Sequence, residues 1–334
     1  MKALVINCSR ETTRANRDRT FYNLGAAKLS DWLKSEGWEV DERAGDPGLF
    51  ASGYDLVALS VIFSWHAPVA RDIALRVRGE SEVWCGGPGM SALGKWWARE
   101  TGLEATIGLD PRFELQRGDY RMTFASRGCP VNCWFCIVPK IEGTEFTLDH
   151  DFQPAPILCD NNLSGLPVEF QEHIIRRYQE TDTRLGDANS GFEPRSFDRG
   201  TRERWEPILK GPWRFAFDEM TEKQFVEPMM QLLSDISPKR KRVYVLIGNE
   251  PIESCYERAE KVREWGGEPY CQPVLNLNTL TDTPRVRHDW TVDKLRAFAR
   301  YYNRFLWKYT DLWSYSNRKW QEPVFSNLKK GATA

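Results

Sequence analysis

The chain lacks a charge imbalance. Its 46 Lys and Arg face 47 Asp and Glu, a formal net charge of −1 over 334 residues. So even a balance builds no field for a polyanion, and nucleic acid is not indicated as a partner. It also lacks any apolar run near the ~20 residues that a membrane helix needs, so no membrane partner is expected. The opening residues 1–7 are too short and too strand-like for a signal peptide. There is no low-complexity tract, and no repeat beyond an alternation of strands and helices. Eight cysteines in 334 residues are too sparse for a disulfide scaffold. These absences leave a globular enzyme of a reducing compartment, expected in the cytoplasm, and a length that allows two domains.

What the chain does have is a knot of thiols. Cys129, Cys133 and Cys136 follow the Ser126-Arg127-Gly128 stretch at spacings of four and three. Thiolates are soft ligands suited to iron–sulfur clusters, zinc and cuprous copper. Zinc sites usually come as two paired knuckles with four ligands. Here there is one triple, the nearest histidine is His150, and the next cysteine, Cys159, ends another expected strand. A four-iron cluster normally takes four thiolates, so three protein ligands would leave one iron open to substrate chemistry. The alternatives are a zinc site and inert buried thiols.

Residues 1–118 read as alternating strands and helices. Strands are expected over 2–7, from 40, over 54–62, 82–85 and 104–109, with helices over 21–36, 67–77 and 91–101. Such alternation implies right-handed crossovers and a parallel sheet whose ligands sit at the carboxyl ends of the strands. Three loops lie there: Cys8-Ser9-Arg10, Phe63-Ser64-Trp65-His66 and Gly86-Gly87-Pro88-Gly89. The glycine cluster is either a tight turn that needs positive φ or a cofactor loop. His66 is either a loop histidine with an ordinary hydrogen bond or a site residue. The stretch with Arg10, Arg14, Arg17 and Arg19 is a solvated loop or a phosphate contact. Residues 110–118 look like a linker.

From Tyr120 the pattern restarts. Strands are expected from 120, over 156–160, 183–188, 213–219, 242–247 and 268–275, with helices over 168–180, 201–209, 224–233, 253–265 and 292–305. The polar residues that end these strands are Asp160-Asn161-Asn162, Asn189-Ser190, Asp218-Glu219, Gly248-Asn249 and Asn276-Leu277-Asn278. Each is a ligand contact or a helix cap and turn residue. The aromatic tail 306–334 is expected to pack on the preceding elements, with a frayed end.

The Cys-x-x-x-Cys-x-x-Cys triple, with Phe135 before its last cysteine, resembles the signature of the radical S-adenosylmethionine (SAM) enzymes. The longer run through Pro139-Lys140-x-Glu142-Gly143 is similar to a subgroup with a cobalamin-binding-like N-terminal domain. The resemblance implies an α/β chain in three parts: a Rossmann-like parallel-sheet domain over 1–118, a partial (β/α)6 radical SAM barrel over 119–290, and a C-terminal helical extension over 291–334. It implies that Cys129, Cys133 and Cys136 bind a 4Fe-4S cluster whose open iron is chelated by SAM. One-electron cleavage of SAM would then yield methionine and a 5′-deoxyadenosyl radical that abstracts hydrogen from an unidentified substrate. Phe135 would lie near the adenine. Asp160, Asn161, Asn162, Ser190, Glu193, Asp218 and Gly248 would hold the rest of SAM; the family's Gly-Gly-Glu is replaced by Asp160-Asn161-Asn162. An electron donor such as a flavodoxin or ferredoxin is implied. Cobalamin is a possible second cofactor, as in a cobalamin-dependent methyltransferase, although no Asp-x-His-x-x-Gly motif occurs. The remaining alternative is a non-catalytic iron–sulfur or zinc protein.

Overall fold

A computed structural model describes residues 1–12, 18–114, 116–316 and 323–326. The chain is mixed α/β with parallel sheets and forms two units, neither a continuous stretch. The first comprises Met1–Thr123, Arg127–Gln153 and Leu277–Asp282. The second comprises Phe124–Ser126, Pro154–Asn276 and Thr283–Ala334.

In the first unit, β1 (Lys2–Asn7) is followed by the antiparallel pair β2 (Arg10–Thr12) and β3 (Asp18–Thr20). The sequence predicts a solvated loop here, whereas Arg10 and Arg19 stand in paired strands; Arg14 and Arg17 lie outside the described residues. Then come α1 (Leu24–Ser35), β4 (Glu39–Ala44), β5 (Leu56–Ser60), α2 (Ala67–Val77) and β6 (Glu82–Gly86). The sheet is parallel in the order β4-β1-β5-β6. Central β5 is buried throughout, as a two-sided apolar strand must be, whereas edge strand β4 is polar and half-exposed. The period of two sorts β1 between two cores. Ala3 and Val5 meet Leu29 and Leu33 of α1, while Leu4 and Ile6 meet Ile73, Ala74 and Val77 of α2 on the other face.

The helix expected over 91–101 is broken into α3 (Pro88–Ser91) and α4 (Gly94–Thr101). No strand forms over 104–109. The segment keeps one ladder bond, Thr106 N–H to the Cys85 carbonyl at 2.8 Å, and positive φ at Gly102 and Gly108 bends the chain away on either side. The expected linker at 110–118 contains α5 (Pro111–Glu114). Lys28 donates to the Glu114 carbonyl at 2.6 Å, and Arg112 lies over Trp32 and Trp84.

The chain then runs through β7 (Met122–Thr123), β8 (Ser126–Arg127), α6 (Val138–Ile141) and β9 (Thr147–Leu148), all short. The second unit follows with β10 (Ile157–Leu158), α7 (Val168–Glu180), β11 (Asp187–Ala188), α8 (Arg199–Trp205), β12 (Trp213–Ala216), α9 (Lys223–Leu232), β13 (Lys241–Ile247), α10 (Ile252–Glu264), β14 (Glu268–Pro273) and α11 (Val292–Asn303). Strands β10 and β11 pair in parallel, as do β12, β13 and β14. Leu185 bridges Leu209, and the Phe192 N–H donates to the Arg214 carbonyl at 2.9 Å, linking β11 to β12.

Helices α10 and α11 bury apolar stripes, Ile252, Cys255, Ala259 and Val262 on one and Leu295, Phe298 and Tyr302 on the other. The tail rests on these helices: Trp313 meets Tyr256, and Tyr315 meets Tyr301. Residues 327–334 lie outside the described residues. Among the described residues no helix is long and apolar enough to cross a membrane.

Candidate functional site

The cysteine loop belongs to the first unit. It opens at Gly128, whose φ of +81° and position leave no room for a side chain: a Cβ would lie 2.0 Å from the Glu145 carbonyl oxygen. Asn132 takes the left-handed conformation at φ 53°, and the Cys136 N–H donates to the Cys133 carbonyl at 3.0 Å. The first bends the chain just before the second thiol, and the second curls it between the second and third. The loop is closed from behind by the segment that follows. The Cys129 N–H donates to the Gly143 carbonyl at 3.2 Å, and the Gly128 N–H to Glu142 Oε2 at 3.1 Å. Glu142 Oε1 accepts from Arg127 at 3.3 Å, and Arg127 also pairs with Glu114 at 2.8 Å. With 7% of its side chain exposed, Glu142 is an inward clamp and no surface ion pair. Lys140 is exposed.

All three thiols are half-buried and free of disulfides. Phe135 is half-buried and meets Trp134 edge-on at 5.3 Å, with Trp134 47% exposed. Among the described residues no group of three or more His, Cys, Asp or Glu side chains is gathered as a metal-holding set. The donor type nevertheless fits an iron–sulfur cluster: three half-buried thiols stand on one short curled loop, and thiolates are its usual ligands.

The strand-end residues belong to the second unit and divide by what they already do. Asp160 is fully buried; its carboxylate accepts from the Ala125 N–H at 2.8 Å and the Ser126 hydroxyl at 2.5 Å. Asn162 is also buried and accepts from the Gly165 N–H at 2.8 Å, a turn role. Asn161 is half-buried, and Ser190 is exposed with its hydroxyl 3.4 Å from the Cys159 carbonyl. Gly248 is buried at φ +100°, with the Arg285 carbonyl and Leu295 3.2 Å from where a Cβ would stand.

Two carboxylates remain. Glu193 pairs with Arg195 at 2.9 Å, and Arg195 reaches Glu222 at 2.7 Å. Burial raises the Glu193 carboxyl against the pull of Arg195. Asp218 is half-buried at the end of β12. Burial first, and the neighbouring Glu222 next, push its carboxyl up to about 7, against the pull of Arg258. Glu222 folds back to accept the Asp218 N–H at 2.7 Å.

Arg258 was not among the expected site residues. It is fully buried on α10 and donates to the Phe217 carbonyl at 2.6 Å and the Leu246 carbonyl at 2.8 Å. It also pairs with Glu250 at 2.9 Å, so one guanidinium fixes the carboxyl ends of β12 and β13. Its signal was an arginine inside the apolar stripe of Ile252, Cys255, Ala259 and Val262.

At the carboxyl edge of the first unit's sheet, the glycine cluster is a packing device. A Cβ on Gly87 would meet the Val61 carbonyl oxygen at 2.5 Å, and one on Gly89 the Phe63 carbonyl carbon at 2.5 Å. His66 is 5% exposed, with the rings of Phe63 and Trp65 at 5.7 and 5.9 Å. No protein-family model matches this chain, and no curated protein matches it.

Proposed function

We propose that the chain is a radical SAM enzyme in which Cys129, Cys133 and Cys136 hold a 4Fe-4S cluster and a partial (β/α)6 barrel over residues 119–290 holds the rest of SAM. The observation that carries the reading is the single curled loop with three half-buried thiols at spacings of four and three. When cluster and SAM are bound, the chemistry supplied is one-electron cleavage of the sulfonium, giving the 5′-deoxyadenosyl radical that takes hydrogen from a substrate.

The chain's own residues bind and orient. Gly128, Glu142 and Arg127 fix the loop from which the thiolates project. Phe135 offers an apolar ring for the adenine. Asp160 already holds Ala125 and Ser126, so the role of accepting the methionine ammonium falls in this reading to Glu193 and Asp218. A cation there favours the ionised form of Asp218, whose carboxyl burial otherwise raises.

Anaerobic reconstitution tests the proposal. The expected outcome is a brown protein with about four irons per chain that forms 5′-deoxyadenosine from SAM on reduction, and Cys133→Ala should lose both properties. Zinc in place of iron, or iron without SAM cleavage, would sink it.

A further inference from the structure

We infer that residues 277–282 are a built-in strap over the carboxyl edge of the first unit's sheet. That sheet therefore receives a piece of its own chain where open parallel sheets receive a ligand, and it takes no corrin cofactor. This inference does not rest on the radical SAM reading.

Three observations carry it. Leu277–Asp282 is part of the first unit although the residues on both sides belong to the second. Its middle is latched: the hydroxyl of Ser64, a buried residue in the loop after β5, donates to the Thr279 carbonyl at 2.7 Å. Its apolar side chain is seated, because Leu280 packs against the buried cluster that holds Leu4, Ile6, Val57 and Leu59.

The tip and stem are shaped for this. Thr279 Oγ1 donates to the Thr281 carbonyl at 3.2 Å. At the base, Leu275 bridges Pro284 antiparallel, and the Arg285 N–H donates to the Val274 carbonyl at 2.8 Å. Both ends of the strap are therefore pinned, which lowers the entropy lost in seating it.

Among the described residues, the edge beneath has no corrin features. The glycine loop is packed backbone against backbone on Val61 and Phe63, and the edge's histidine, His66, is buried among aromatic rings. A corrin needs a broad open face above the strand ends and usually an axial donor. Here the strap takes the first, and burial removes the second.

The test uses the full chain, with hydroxocobalamin as one probe and thermolysin cleavage before Leu277 as the other. The wild type should leave the hydroxocobalamin spectrum unchanged and resist cleavage at this bond. Leu280→Gly should be cut about tenfold faster, because cleavage tracks the open population, with the far-UV circular dichroism of the wild type. Ser64→Ala removes one hydrogen bond and no packing. It should be cut severalfold faster, and it serves alone if Leu280→Gly does not fold. Wild-type cleavage as fast as in Ser64→Ala would overturn the strap. A spectral change of hydroxocobalamin with the wild type would overturn the exclusion.

Discussion

Glu142 accepts from the Gly128 amide and from Arg127 while almost fully buried, so it ties the first residue of the thiol loop to the last. Removing it strands an amide and half-strands a guanidinium. Glu142→Ala is expected to cost about 2 kcal/mol, read from the urea midpoint, and Glu142→Gln, which keeps one acceptor, less. Asp218 gives a signed pH effect. Its carboxyl is raised by burial from 3.8 to about 7, so the acid form is favoured in the folded chain. Stability is full below the ordinary carboxylate range and falls as pH rises to about 7, then levels. Asp218→Asn should flatten that fall. It should gain on the order of 1–2 kcal/mol over the wild type at pH 8 and nothing near pH 4, read from denaturation midpoints at the two pH values. The thiol spacing was legible because it is a one-dimensional signal. Which of Lys140 and Glu142 turns inward was not, because that depends on Arg127 and Gly128 arriving from the other side of the loop.

Helix α10 shows what a helix can do beyond covering a sheet. Arg258 projects from its apolar stripe and supplies donors to two strand ends and to Glu250. Arg258→Met is expected to cost ~3–5 kcal/mol in thermal denaturation, since the Phe217 and Leu246 carbonyls and Glu250 all lose their partner. Arg258→Lys should recover only part, because one ammonium cannot span both carbonyls with a planar fork. The long strands β1, β5, β13 and β14 were readable from uninterrupted apolar runs or strict alternation. Only two residues of the expected 183–188 strand pair as strand, beyond the Leu185 bridge. The 104–109 segment makes a single ladder bond, because the glycines at 102 and 108 turn it aside. Propensity marks where a strand fits; pairing decides whether it forms.

For the molecule as a whole, the α/β class was legible from the alternation of strands and helices, and the two-sided core of the first sheet from β1's period of two. The seat of the strap was not, because nothing in Leu277-Asn278-Thr279-Leu280 declares that its neighbours are Ser64 and the core beneath β5. Tertiary packing of segments more than two hundred positions apart has no local signal. The same threading governs how the protein is made. The first unit draws on residues up to 123, then 127–153, then 277–282. During synthesis the ribosome must therefore release most of the polypeptide before the earliest-made sheet can receive its last piece, and no single cut of the gene yields either half intact.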